Sequence, residues 1–219
     1  MGRIAIGLGL ALAVAVAAGP SARASDTKGN YAVRGVGSQE CQTLLQELDK
    51  DREGALAVAS WILGYITAVN RYEPMTFDIT PVNDARALTG IVLALCQKNP
   101  KARLENVLSD MLRAMARARL RADSPLVQMK SGDAVAAVRQ EVLLTMQQRL
   151  NQRGLLKAKA DGAYGPQTEA ALKEYQKAEN LPVTGVADAA TVLRLLVEQA
   201  PAPAAPAQPA PAQPAQPRR

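Results

Sequence analysis

The sequence predicts an all-α protein: an N-terminal four-helix domain with one disulfide, a C-terminal three-helix bundle, and a disordered tail rich in proline and alanine. Three observations predict it. Apolar residues recur at i, i+3, i+4, i+7 spacing through most of residues 38–198, the pattern of amphipathic helices. The only two cysteines, Cys41 and Cys96, fall on two of those apolar faces. From residue 199 to residue 217 the chain holds only Ala, Pro and Gln, a composition that cannot bury a core.

Composition removes whole classes of chemistry. The 219 residues contain no histidine, which excludes Ser-His-Asp and Cys-His nucleophile systems and histidine-containing zinc sites. Two cysteines cannot form a four-thiolate metal site, and no metal or other cofactor is expected. Aromatics are 3% and the net charge is only +6, which argues against a dedicated nucleic-acid binder.

Residues 1–24 read as a secretory signal peptide. Arg3 supplies a short positive region, Ile4 to Gly19 is uncharged and apolar, and Ala22-Arg23-Ala24 offers a small-x-small cleavage pattern. The other reading, a membrane anchor, is disfavoured by the Gly19-Pro20 break and by the cleavage pattern. No later stretch has the length and apolarity of a membrane span, so the expected location is periplasmic. In an oxidising compartment a lone pair of cysteines is most simply a disulfide, with two free buried thiols as the alternative.

The elements follow in order. Residues 25–37 are a polar, extended lead-in. The first domain spans 38–122. Ser38 is expected to N-cap its first helix, on which Cys41, Leu44, Leu45 and Leu48 share a face. The second helix runs from about Gly54 to Tyr72 with a wide apolar surface around Val58, Trp61, Ile62, Tyr65 and Val69, which makes it central. The third begins at Asp84, carries Leu88, Ile91, Val92, Leu95 and Cys96, and stops before Asn99-Pro100. The fourth, from about Lys101 to Arg121, carries the stripe Leu104, Val107, Leu108, Met111, Leu112 and Met115. Arg113, Arg117, Arg119 and Arg121 cluster at its end; favourable interaction with the helix C-terminus explains them, and an anionic contact is the alternative.

Residues 123–132 read as a linker. A second helical region, 133–198, starts near Asp133 with Val135, Val138, Val142 and Met146 on one stripe, and its first helix ends at Arg153-Gly154. Within it a small device occurs twice. With Gly165 set against Asp188, Thr168 matches Thr191 and Leu172 matches Leu195. Each copy is a turn, a helix start, a threonine in the first turn and an apolar residue four positions later. Pro166 suits the first helical position and Asp188 suits an N-cap. Residues 199–219 form the tail.

The stretch from about Arg139 to Val197 resembles the peptidoglycan-binding domain type 1 family. The resemblance rests on Met146-Gln147-Gln148-Arg149-Leu150 with Gly154, on Asp161-Gly162-Ala163-Tyr164-Gly165-Pro166-Gln167-Thr168, on Ala171-Leu172-Lys173-Glu174-Tyr175-Gln176, and on Leu181 to Asp188 with Thr191. It departs at Tyr175, where the family often has Phe. The resemblance implies binding of cell-wall glycan or stem peptide without catalysis, in a groove bordered by the 161–168 loop and the following helix. Its implied contact residues are Asp161, Gly162, Tyr164, Gly165, Gln167, Thr168 and Gln176. Gly162, Gly165, Pro166 and Thr168 also explain themselves as turn and cap residues, and Tyr175 as core; Tyr164 and Gln167, on a loop, are the stronger contact candidates.

The first domain is similar, on two cysteines, helix order and an apolar central helix, to the HdeA/HdeB acid-stress chaperone family, and more loosely to immunity proteins of type VI secretion amidase effectors. That resemblance implies a periplasmic chaperone or an inhibitor of a wall amidase, acting through an envelope protein partner. Glu47, Asp49, Asp51 and Glu53 are expected to form a solvated edge; a glycosidase needs two carboxylates facing across a cleft, and no catalytic residue is expected. The leading expectation is an exported, non-catalytic protein whose C-terminal module tethers a helical disulfide domain to the wall.

Overall fold

A computed structural model describes residues 25–48 and 52–198. The signal peptide expected at 1–24, the tail expected at 199–219, and Asp49 and Asp51 lie outside the described residues. The chain divides into two units, Met1–Val33 and Arg34–Arg219. In the first, Asp26 organises a turn: its Oδ1 accepts from the backbone N–H groups of Lys28 at 2.8 Å and Asn30 at 2.7 Å. These bonds, the one from Asn30 foremost, hold the Asp26 carboxyl below the usual range. The lead-in expected to be extended therefore contains this turn, and Gly35–Ser38 forms a 3-10 turn.

The second unit is mostly helical. It contains α1 (Cys41–Leu48), α2 (Arg52–Tyr72), α3 (Ala85–Lys98), α4 (Leu104–Met115), β1 (Leu126–Ser131), β2 (Ala134–Arg139), α5 (Gln140–Gln152), α6 (Pro166–Ala178) and α7 (Ala189–Leu193). Among the described residues no helix is long and apolar enough to cross a membrane.

The first four helices form as the apolar stripes predict. Asp84 caps α3, its side chain accepting from Ala87 N–H at 2.8 Å. Ser38 does not cap α1. Its hydroxyl donates to Gly35 O, and the first N–H groups of α1 are satisfied from the α3–α4 loop instead: Cys41 N donates to Ala102 O and Gln42 N to Pro100 O. The same corner holds the disulfide. Cys41 and Cys96 join α1 to α3 across the core, with Cα atoms 5.0 Å apart and both residues buried.

The indole of Trp61 on α2 donates to Arg34 O at 2.9 Å and lies against Gly37. A Cβ at Gly37 would fall 1.9 Å from the ring, so only glycine fits beneath it. Gly37→Ala must push the indole off its hydrogen bond, and should lower stability by about 2 kcal/mol, the usual cost of overpacking. Urea unfolding measures it, with Gly64→Ala, where a Cβ in the interior of α2 meets open space, as the control that should raise stability by about 0.5–1 kcal/mol.

Two expectations fail between residues 116 and 139. The fourth helix stops at Met115 and tightens to a 3-10 turn over Ala116–Ala118, rather than reaching Arg121. Leu120 is drawn out of helical geometry by backbone pairing with Asp78: Leu120 N donates to Asp78 O at 2.8 Å, and Leu120 O accepts from Phe77 N at 2.9 Å. The Asp78 carboxyl is pushed up by burial. Residues 123–132 are not a free linker, and 133–139 are not helical. They form an antiparallel hairpin closed by Gly132-Asp133, with Met129 opposite Ala136 and Val127 opposite Val138. Gly132 has φ +57°, which a two-residue hairpin turn requires. The helical spacing of Val135 and Val138 misleads here: Val138 is buried, but Val135 is 72% exposed.

The hairpin connects the halves rather than separating them. Met129 and Val138 join one hydrophobic cluster that runs from Cys41 to Leu196. The Arg139 guanidinium lies over the Phe77 ring at 5.1 Å, donates to the Asp123 carboxylate at 2.6 Å, and donates to Ser124 O at 2.7 Å.

Candidate peptidoglycan-binding site

Two buried glutamines build the C-terminal module. Gln147 comes from α5. Its Oε1 accepts from Asp161 N at 2.9 Å and Gly162 N at 2.7 Å, while its Nε2 donates to Ala163 O at 2.8 Å and Thr168 Oγ1 at 3.0 Å. Gln176 comes from α6. Its Oε1 accepts from Gly185 N at 2.8 Å, and its Nε2 donates to Thr184 Oγ1, Thr191 Oγ1 and Val186 O at 2.8–3.0 Å. The repeat visible in the sequence is therefore a repeated hydrogen-bond device. In each copy a helix sends one amide under the next loop, binds the N–H of a glycine with φ near +75°, and reaches the threonine of the following first turn. The loops need both positive-φ glycines for this backbone path. Gly165 and Asp188 are the two N-caps, and Pro166 is at the first position of α6.

This geometry sorts the sequence-predicted contact residues. Gln176 is fully buried with its amide engaged inside the module, so that amide is committed to the fold. Thr168 and Gly162 are also buried, in the network of Gln147. Tyr175 is core, as expected. Asp161 and Gln167 are exposed, and Tyr164 and Gly165 are half-buried. Asp161 also closes its own loop: it accepts from Ala163 N at 2.8 Å, and that bond foremost holds its carboxyl below the usual range.

Tyr164 belongs to a polar ridge. Its hydroxyl donates to Gly185 O at 2.9 Å. Beside it, Glu169 on α6 accepts from Lys173 Nζ at 2.6 Å and from Ser131 Oγ at 2.7 Å. Burial first, and the Glu169 charge second, pushes the Tyr164 phenol up to about 12, so it is a neutral donor at every physiological pH. The bond from Lys173 foremost holds Glu169 below the usual range, so it is ionised there. The ridge combines a half-buried aromatic ring, an ammonium and a carboxylate with exposed Gln167 nearby in sequence, a set that can contact a sugar and hydrogen-bond amides.

Sequence reasoning missed Ser131, Glu169 and Lys173. The Glu169–Lys173 pair is an ordinary i, i+4 couple. Ser131 arrives from the hairpin tip, 38 positions from Glu169 in sequence, and carried no signal of its own. The tip packs so closely that a Cβ at Gly185 would sit 2.7 Å from Ser131 Oγ. β2, the start of α3 and residues from Pro182 to Val192 border a half-open cavity of about 420 Å³, with Asn83, Thr184 and Asp188 among its polar lining.

No curated protein and no solved structure matches the chain. Residues 139–195, the stretch from the base of β2 through α7 that carries both glutamine devices, match the family described as "Putative peptidoglycan binding domain".

Proposed function

We propose that this is an exported, non-catalytic wall-binding protein, in which the module of α5–α7 tethers the disulfide-linked helices to peptidoglycan. The family match over 139–195 carries the reading. The apolar leader and Ala22-Arg23-Ala24 support export to the periplasm, and the Cys41–Cys96 bridge accords with an oxidising compartment. The ligand surface is the loop 161–167 with the Tyr164 ridge.

Backbone amide NMR of residues 25–219 with soluble muropeptides tests this. The expected shifts centre on Asp161–Gln167 and the exposed face of α6, and Tyr164→Ala weakens binding about tenfold, the loss of one stacked, hydrogen-bonded ring. Shifts confined to α1–α4 would contradict the reading.

A second reading places a chaperone or an immunity-type amidase inhibitor at the wall. It is favoured by an open apolar cleft of about 380 Å³ lined by Ile91, Leu95, Val107, Met111, Leu193 and Val197. Protection of a client from aggregation at low pH, or tight inhibition of an amidase, is its distinguishing result.

A further inference from the structure

The arginines that cluster at the end of α4 in sequence separate in the structure. Arg113 is exposed and pairs with Asp110 at 2.6 Å, and Arg121 is exposed. Arg117 and Arg119 instead turn to a cavity of about 220 Å³, where Arg149 of α5 joins them. Thr145 and Glu141 complete its polar wall, and Leu196 is part of its lining. Glu141, Thr145 and Arg149 lie at i, i+4 and i+8, one face of α5.

None of these three arginines has an ion-pair partner among the described residues. Arg119 is held in place, its Nη1 donating to Ala116 O at 2.9 Å, while its Nε–H is buried with no hydrogen-bond partner among the described residues. A buried charged donor without an acceptor is costly, and native structures rarely keep one without a reason. The cavity is smaller than a typical drug-sized pocket, so it suits an end group rather than a sugar ring.

We propose that this pocket binds the zwitterionic end of an amino acid, a carboxylate on Arg117, Arg119 and Arg149 with the adjacent ammonium towards Glu141. Guanidinium groups match a planar carboxylate through paired N–H donors. The single carboxylate on the wall discriminates against phosphate, which it repels, and favours a ligand that carries an ammonium beside its anion. That the end group belongs to a wall stem peptide rests on the wall-binding reading above; the pocket itself does not.

The test uses residues 25–219 and Nε-acetyllysine, which keeps a free carboxylate and ammonium at one end and caps the other amine. Side-chain NMR follows the Arg119 Nε–H signal. Acetyllysine should move it, and the carboxamide of the same compound should bind about tenfold or more weakly. Arg149→Gln should weaken acetyllysine by a similar factor. Arg117→Gln, at an exposed position, should do the same without risk to the fold. Glu141→Gln should weaken acetyllysine and tighten inorganic phosphate. Equal binding of acid and amide, no movement of Arg119, no effect of the arginine variants, or wild-type phosphate binding tighter than acetyllysine would each overturn the proposal. If acetyllysine moves Arg119 but peptidoglycan does not bind, the pocket stands and the wall-binding reading falls. If peptidoglycan binds and acetyllysine is silent, only the pocket falls.

Discussion

Replacing Cys41 and Cys96 together by alanine should lower stability by about 4 kcal/mol, the loop-closure entropy of a bridge between residues 55 apart. The bridge fixes the corner where α1 borrows carbonyls from the α3–α4 loop, so its loss also loosens the N-terminal hydrogen bonds of α1. Both cysteines are fully buried, and alanine avoids placing unpaired hydroxyls there. The hairpin and the shared core couple this corner to the module, so urea unfolding followed by far-UV dichroism should stay a single transition with an earlier midpoint. A loss below about 1 kcal/mol would mean that the unfolded chain is already compact around this corner.

Gln176→Leu should cost about 3–5 kcal/mol. The substitution leaves Gly185 N–H buried without a partner, at about 1–3 kcal/mol, leaves Val186 C=O only the 3.4 Å bond from Thr184 Oγ1, and removes one donor from each of two threonine hydroxyls that stay bonded to Asp188. Gln147→Leu should act similarly through Asp161 N–H, Gly162 N–H and Ala163 C=O. Calorimetric melting checks both. The measurement separates two roles for Gln176. A ligand contact would lose peptidoglycan affinity at wild-type stability; the buried amide loses stability first. Gln167→Ala, at an exposed position, is the control that should leave melting unchanged.

Helix order, the apolar stripes, the disulfide partners and the repeated turn device were all legible, because each is written in local spacing. Thr168 and Thr191 announced the repeat, and the structure adds the buried amides beneath it. The hairpin was not legible as such. Val135, Val138 and Val142 satisfy helical spacing by coincidence, while the signal that mattered was Gly132-Asp133, a two-residue turn inside a polar run. The burial of Gln176 was hidden for a different reason. An amide on a helix beside a loop has the same appearance in sequence whether it faces solvent or backbone, and only the path of the 184–186 loop decides. Ser131 and the Arg117–Arg119–Arg149 pocket depend on long-range packing of the two halves, which no local pattern encodes.

Residues 25–219 are expected to bind peptidoglycan through the C-terminal module. Co-sedimentation of residues 25–219 with purified, insoluble peptidoglycan tests it most directly, with the Tyr164→Ala variant run beside it. The whole chain is needed, because a cut at residue 122 would divide the shared core. The wild-type protein should pellet with the wall polymer, and the folded variant should remain largely in the supernatant. A wild-type protein that stays in solution at every peptidoglycan concentration would contradict it.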